Sequence, residues 1–310
     1  MLIVAGEALI DMTPAVLNGS TAYVPHPGGS PYNVAIGAGR LGTPTAFLGR
    51  ISRDGFGQLL KSHLAASKVS LAYVKEGDQL TTLALVTPSE SGEFFSFYCE
   101  NTADRLLYPE DLPPVLPASA ALHFGSYALV LEPGASTLEL LMRREARRRL
   151  ISLDPNVRPF LIPNRDVYIE RLMGWLEQAD LVKVSQADLQ WLYPGENPET
   201  IAQEWKQQGP LLVIVTQGGQ GAFAVTSRVI AKVQAPRVSV VDTVGAGDAF
   251  MSGLLSWLWQ RGYWSRAALG SLEREQITDL LNFAARVAAI TCTRAGANPP
   301  WQEELSQMPG

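Results

Sequence analysis

Cysteine is almost missing: Cys99 and Cys292 are the only two in 310 residues. They lie far apart, so neither a disulfide framework nor a cysteine metal knuckle is available, and a reducing, cytoplasmic setting is expected. Histidine is as scarce, and His26, His63 and His123 have no metal-ligand spacing. Positive charge is in deficit too, with 25 Lys and Arg against 30 Asp and Glu and a net charge of −5. Nucleic acid and anionic lipid are bound mainly through surplus Lys and Arg, so this balance argues against either partner. The single basic run, Arg143 to Arg149, falls at the expected C-terminus of a helix, where cations complement the dipole. Long apolar runs are lacking as well. The uncharged stretches 112–131 and 207–227 are broken, the first by Pro113, Pro114, Pro117 and Gly125, the second by Gly209, Pro210, Gly218, Gly219 and Gly221. The start, MLIVAGEALIDM, has no basic region and reaches Glu7 and Asp11 early, so it reads as a buried strand and not a signal peptide. Repeats, low-complexity tracts and obvious linkers are absent, and 1–310 is read as one domain, long enough to bury a core without staples.

What the chain does have is a rhythm of short apolar run, turn and helical pattern. Strand-like runs start at Leu2, Thr45, Ala121, Leu150, Leu181 and Leu211. Helices are expected from Ser30, as N-cap with Pro31 behind it, to Gly42, near Asp54, near Ser136, and from about Glu273 to Thr291. In the last, Ile277, Leu280, Leu281, Ala284, Val287, Ala288 and Thr291 recur on one face. Such alternation implies a largely parallel sheet covered by helices on both sides. TTLALVT from Thr81 and EFFSFYC from Glu93 alternate with period two around PSESG, so they read as a hairpin and a candidate lid. Its aromatic residues Phe94, Phe95, Phe97 and Tyr98 could cover a substrate or pack against a second subunit.

The chemistry concentrates in VDTVGAGDAFMSGLL. A strand-like SVV leads into Gly245, Ala246, Gly247 and Asp248, and then into an apolar helix. Small residues at a helix start let backbone N–H groups reach an anion, and the dipole favours it. Asp248 in the first turn serves either as a cap or as the base that takes a proton from an attacking hydroxyl. No GxxxxGK[ST] occurs, and the GxGxxG at Gly37, Gly39 and Gly42 falls within or at the end of a helix, the wrong place for a dinucleotide turn.

DTVGAGDAFMSGLL, together with GEALIDM, PGGSPYNVAIGAGRLG, LDPNVRP, VTQGGQGA and CTRAGA in that order along the chain, resembles the ribokinase-like (pfkB) carbohydrate kinases, and most closely their fructokinase-like branch. The resemblance implies an α/β ribokinase-like fold with a small β lid built from inserted segments, about 12–27 and 72–104, through which some members dimerise. It implies Asp248 as catalytic base, with Gly245, Ala246 and Gly247 as the anion hole. Asp11, Gly28, Gly29 and Asn33 match positions that hold the sugar, with Asn156, Arg158 and the lid's Phe97 facing the same site. Thr216, Gly218 and Gly221 resemble the loop passing ATP, and Asn282 falls where the family approaches adenine. Asp242 and Val244, with carbonyls near Gly296, resemble a monovalent-cation site that would take K+. Ser185 and Asp188 stand where the family usually has Asn-x-x-Glu, tied to Mg2+ and phosphate; Ser52 and Gln217 also depart from the pattern. The implied activity is ATP-dependent phosphorylation of a free sugar, D-fructose first, with 2-keto-3-deoxygluconate, a riboside, ribose or tagatose as other acceptors. A catalytically silent sugar-binding or regulatory protein is the reading from a different class. Residues 81–104 contain no Lys or Arg, which disfavours a phosphorylated acceptor.

Overall fold

Four- and five-residue apolar runs such as Leu2–Ala5 are buried on both faces, the burial expected of parallel strands sandwiched between helices. In the computed structural model, residues 1–89 and 92–305 are described, with the side chains of 86–89 and 92–95 excepted. The strands are β1 Leu2–Ala5, β2 Leu9–Leu17, β3 Ser20–Gly28, β4 Thr45–Ser52, β5 Val69–Gly77, β6 Leu83–Ser89, β7 Gly92–Tyr98, β8 Ala121–Gly125, β9 Ile151–Asp154, β10 Leu181–Ser185, β11 Leu212–Thr216, β12 Ala222–Val225 and β13 Ile230–Val233. Nine form one sheet in the order β13-β12-β11-β10-β9-β8-β1-β4-β5, parallel except where β12 pairs with β11 and β13. Full burial of each Leu, Ile or Val in β1 contributes about 2 kcal/mol.

The α-helices are α1 Ser30–Arg40, α2 Gly55–Ala66, α3 Gly134–Glu145, α4 Arg165–Gln178, α5 Gln186–Leu192, α6 Pro198–Gln208, α7 Ala246–Gln260, α8 Arg266–Gly270, α9 Arg274–Cys292 and α10 Gln302–Leu305. One core packs α1, α2, α7 and α9 on one face of the sheet, and a second packs α3, α4, α5 and α6 on the other. The glycine pattern in α1 serves helix packing. A Cβ on Gly37 would lie 2.3 Å from Ser252 Oγ of α7, and one on Gly39 would lie 2.3 Å from the Ser67 carbonyl. The arginine-rich segment closes the end of α3, with Arg149 Nε donating to Glu145 at 2.7 Å.

Strands β3-β2-β6-β7 make a separate four-stranded sheet, in which β6 and β7 form the expected hairpin. Glu90 and Ser91 of its turn, and the side chains of Phe94 and Phe95, lie outside the described residues. The small sheet is narrower than 72–104 on one side, because β5 joins the large sheet beside β4 and runs to Gly77. It is wider than 12–27 on the other, since β2 begins at Leu9 and β3 ends at Gly28. Two local expectations change. Residues 239–241 are not a strand: Val240 and Val241 are exposed, and the chain there is tied to the end of α9 by N–H bonds from Val241 and Asp242 to the Cys292 carbonyl. Ser30 is not an N-cap either; Gly29, at φ +105°, takes that position, and the Ser30 hydroxyl turns inward.

Candidate active site

Parallel strands deliver their C-terminal ends to one edge, and the order in which strands are added reverses between β1 and β8, which opens a crevice there. A cleft of about 710 Å³ occupies it, walled by the small sheet, the β9 and β10 ends and the N-terminus of α7. Asp248 stands in the first turn of α7 and is 7% exposed. Ser30 Oγ donates to its Oδ1 at 2.7 Å and Asn33 Nδ2 to its Oδ2 at 2.9 Å. Asn156 Nδ2 reaches Ser30 Oγ at 2.6 Å and Asp248 Oδ1 at 3.3 Å. Asn156 holds this pose at φ +40°, a left-handed backbone that Asn tolerates better than most residues. Burial raises the Asp248 pKa, while Asn33, Ser30, Lys183 and Arg158 pull it back. A carboxylate held by neutral donors and kept from water is suited to accept a proton.

Gly245 caps α7 in the left-handed region at φ +73°, where a Cβ would lie 2.5 Å from that of Ala297. This packing and turn are what require glycine. The first-turn amides have no intrahelical partner, which leaves them to a ligand. The Ala246 N–H is spent on the Thr243 carbonyl at 3.2 Å, so Gly247 and Asp248 supply the freer donors.

On the opposite wall, Asp11 leaves β2 toward the cleft, and a Cβ on Gly28 would lie 2.1 Å from its Oδ2. Burial pushes the Asp11 pKa up to about 6, with Arg158 lowering and Asp248 raising it. Arg158 has no ion pair among the described residues and donates only to the Val157 carbonyl at 3.3 Å, which leaves its guanidinium fork for a ligand. Phe97 packs edge-on against Tyr127, centroids 5.9 Å apart, and tilted on Phe160 at 5.1 Å, and the three rings line this side of the cleft. Glu7 closes the floor: its carboxylate accepts from the N–H groups of Ser30 and Ala128, and burial pushes its pKa up to about 8.

A family model described as pfkB family carbohydrate kinase matches residues 1–304. The chain belongs to that family. It is 37% identical over 278 residues to a fructokinase of Rhizobium leguminosarum bv. trifolii, covering 89% of this chain and 85% of that protein. The structure of a fructokinase with bound ATP from Xylella fastidiosa superposes with a TM-score of 0.91 at 31% identity, covering 99% of this kinase and 97% of that chain. A fructokinase of Vibrio cholerae O395, in a form with fructose, ADP and calcium bound, gives 0.84 at 28% identity, with coverage of 99% and 97%. The kinase therefore has the ribokinase-like fold, and its reaction is phosphorylation of a carbohydrate.

The remaining sites expected from the kinase resemblance divide into those gathered at the cleft and those outside it. Asp11, Gly29, Asn33, Phe97, Asn156, Arg158, Ser185, Asp188, Asp242, Val244, Gly245, Gly247 and Asp248 line it, and Gly28 backs Asp11. Ser185 and Asp188 form the capping box of α5, and Asp188 Oδ1 also accepts the Val157 N–H at 3.1 Å. Thr216 pairs in register with Ser185 one strand further out, and Gly218 and Gly221 form the turn that follows. Gly221, at φ +101°, faces the Val233 carbonyl, 2.0 Å from where a Cβ would stand. Asn282, expected near adenine, lies outside this cleft: it is exposed and lines a separate groove with Trp257 and Asp279, well along α9 from the Cys292 end that meets the cleft. Asp242 ties two loops, accepting from Val244 N–H at 3.0 Å and Gly296 N–H at 2.7 Å. Burial alone would raise its pKa, but these donors and the Thr243 N–H hold it below the usual range.

Sequence reasoning passed over Glu7, Ser30, Asp154 and Lys183. The signal for the last was a lysine between two valines in a run that read as buried. With Asp11, its pKa pushed up to about 6, accepting hydrogen bonds from a sugar as a carboxylate, kcat/KM is expected to fall as pH drops through about 6, and the raised pKa of Asp248 acts in the same direction. A profile flat down to pH 4.5 would show that neither is needed as a carboxylate.

Proposed function

We propose that this kinase transfers the γ-phosphoryl group of ATP to a primary hydroxyl of free D-fructose. The observation that carries the reading is Asp248, buried at the N-terminus of α7 and aligned by Ser30, Asn33 and Asn156 at the meeting of the two cleft walls. Asp248 takes the hydroxyl proton as the sugar oxygen bonds to phosphorus and the bond to the β-phosphate oxygen breaks; the first-turn amides of α7 stabilise the developing charge. Asp11 and Arg158 hold the sugar, and the Phe97 side of the lid excludes water.

Mg2+ would be carried by the nucleotide and would neutralise phosphate charge. Among the described residues no cluster of three or more His, Cys, Asp or Glu could hold a metal. Asp188 already accepts from the Val157 N–H and from the Ser185 N–H and hydroxyl, which suits contact through the metal's waters. A K+ ion would sit where Asp242 draws the Val244 and Gly296 loops together. The protein would work in the cytoplasm, where Cys99 and Cys292 stay as thiols, and no helix among the described residues is long and apolar enough to cross a membrane. A homodimer joined through the small sheet would cover Val16, Leu17 and Tyr98, which are 81%, 65% and 61% exposed.

The test is ADP release, measured with fructose, ribose, tagatose, 2-keto-3-deoxygluconate and ribosides. The highest kcat/KM is expected with fructose. Turnover only of a sugar phosphate would overturn the reading, because Arg158 is the only Lys or Arg among the described residues on the sugar side of the cleft.

A further inference from the structure

Of the carboxylates that line the cleft among the described residues, Glu7 alone has no part in the scheme above. It is 1% exposed, and no Lys, Arg or His among the described residues pairs with it. A buried carboxylate without a cation is costly unless hydrogen bonds satisfy its oxygens. Those of Glu7 are spent on two segments that are far apart in sequence. Oε1 accepts the Ser30 N–H at 3.2 Å, at the start of α1. Oε2 accepts the Ala128 N–H at 3.3 Å, in the 3-10 turn Ser126–Leu129 that follows β8, and the Ser126 side chain bonds to the same carboxylate. Both segments have a backbone that needs holding. Gly29 stands at φ +105°, where a Cβ would lie 3.0 Å from the Glu7 carbonyl oxygen. Ser126 is buried at φ +59° with no such freedom, and a left-handed residue other than glycine persists only when its surroundings fix it.

What this clamp sets is the place of the Ser30 hydroxyl. Its oxygen accepts from Asn156 Nδ2 at 2.6 Å and donates its proton to Asp248 Oδ1 at 2.7 Å, so it is the junction through which both hold the base. Resting on the assignment of Asp248 above, we propose that Glu7 is a positioning residue: it anchors the Ser30 N–H to the Ser126–Ala128 turn, and thereby fixes the Ser30 hydroxyl on Asp248 and the aim of the base at the acceptor hydroxyl. No proton passes to Glu7 in the reaction; the one that leaves the sugar goes to Asp248. Asp11 and Arg158 stand outside this chain of bonds, so sugar affinity does not depend on it.

Glu7→Gln keeps the shape of the side chain but turns an NH2 group toward one of the two N–H groups that Glu7 accepts. With the best acceptor from the sugar screen, kcat should fall about 10- to 100-fold, as a misplacement on the order of 1 Å can bring about, and KM for the sugar should stay within threefold. Ser30→Ala alone should lower kcat about tenfold, and Glu7→Gln added to it should cost less than about threefold more, because both act through one hydroxyl. Where Glu7→Gln does not fold, Ser126→Ala takes its place in the cycle, with a loss of about threefold that likewise disappears beside Ser30→Ala. A part in holding the fold alone would lower the melting temperature and leave kcat of the folded enzyme within threefold. That result, or losses that multiply in full with those of Ser30→Ala, overturns the proposal. Full activity of Asp248→Asn would instead refute the assignment of the base, so the two failures are told apart.

Discussion

Asp248→Asn is expected to lower kcat by about three orders of magnitude, within the range a positioned general base supplies. The substitution keeps volume and shape, so the Ser30 hydroxyl still finds an acceptor and the sugar wall of Asp11 and Arg158 is untouched. KM for the sugar should therefore change little. Thermal stability at pH 7 should not fall. The folded-state pKa of Asp248 is raised, so its contribution to stability is present at low pH and is lost as pH rises through that value. Near neutrality the native enzyme carries the cost of a buried carboxylate that the amide does not. Sugar-dependent ADP formation at the unsubstituted rate would refute the assignment of the base and leave Asp248 as a cap.

A single methyl group placed at Gly28 should damage the enzyme nearly as much as removing Asp11. The backbone of Gly28 is not in the left-handed region; the constraint is the 2.1 Å between its Cβ position and Asp11 Oδ2. Gly28→Ala must rotate that carboxylate away from the sugar wall. Losing its charge-assisted hydrogen bonds costs about 1.5–3 kcal/mol each, so kcat/KM should drop about 10²-fold. Because both changes act through one carboxylate, Gly28→Ala made on top of Asp11→Ala should add almost nothing. Independent, additive losses in kcat/KM would show that Gly28 acts on something other than Asp11.

The central sheet was legible because β1, β8, β10 and β11 are short runs buried on both faces, and the helices carry their period plainly. The outer strands were not. β5 alternates between buried and exposed residues and ends in Lys75 and Glu76, a pattern that reads equally as loop. The 239–241 segment misled in the opposite direction, since its valines are apolar yet exposed, and apolarity alone does not report tertiary pairing. At the site, the family resemblance pointed to Asp11, Asn33, Asn156 and Asp248, which the fold brings to one cleft. It could not show that Ser30 turns from cap to ligand of Asp248, because the same residue type satisfies both uses and only the position of α7 decides. Asn282 came from the family resemblance alone, and helical period could add only its face on α9, not its distance along the axis from the cleft.

The contact of Gly37 with Ser252 bears on how reproducible each turnover is. α1 presents Ser30 and Asn33 on the acceptor side, and α7 presents the base and the phosphoryl cradle. Where they cross, no side chain intervenes at Gly37 to act as a compressible spacer. On the proposed reading, acceptor and donor would be referenced to one frame set by this α1–α7 contact. The small sheet contributes Asp11 to the sugar wall and lies over the cleft. Drift in its sequence can retune which sugar is admitted and how fast the cleft opens, while the aim of the reacting atoms stays the same.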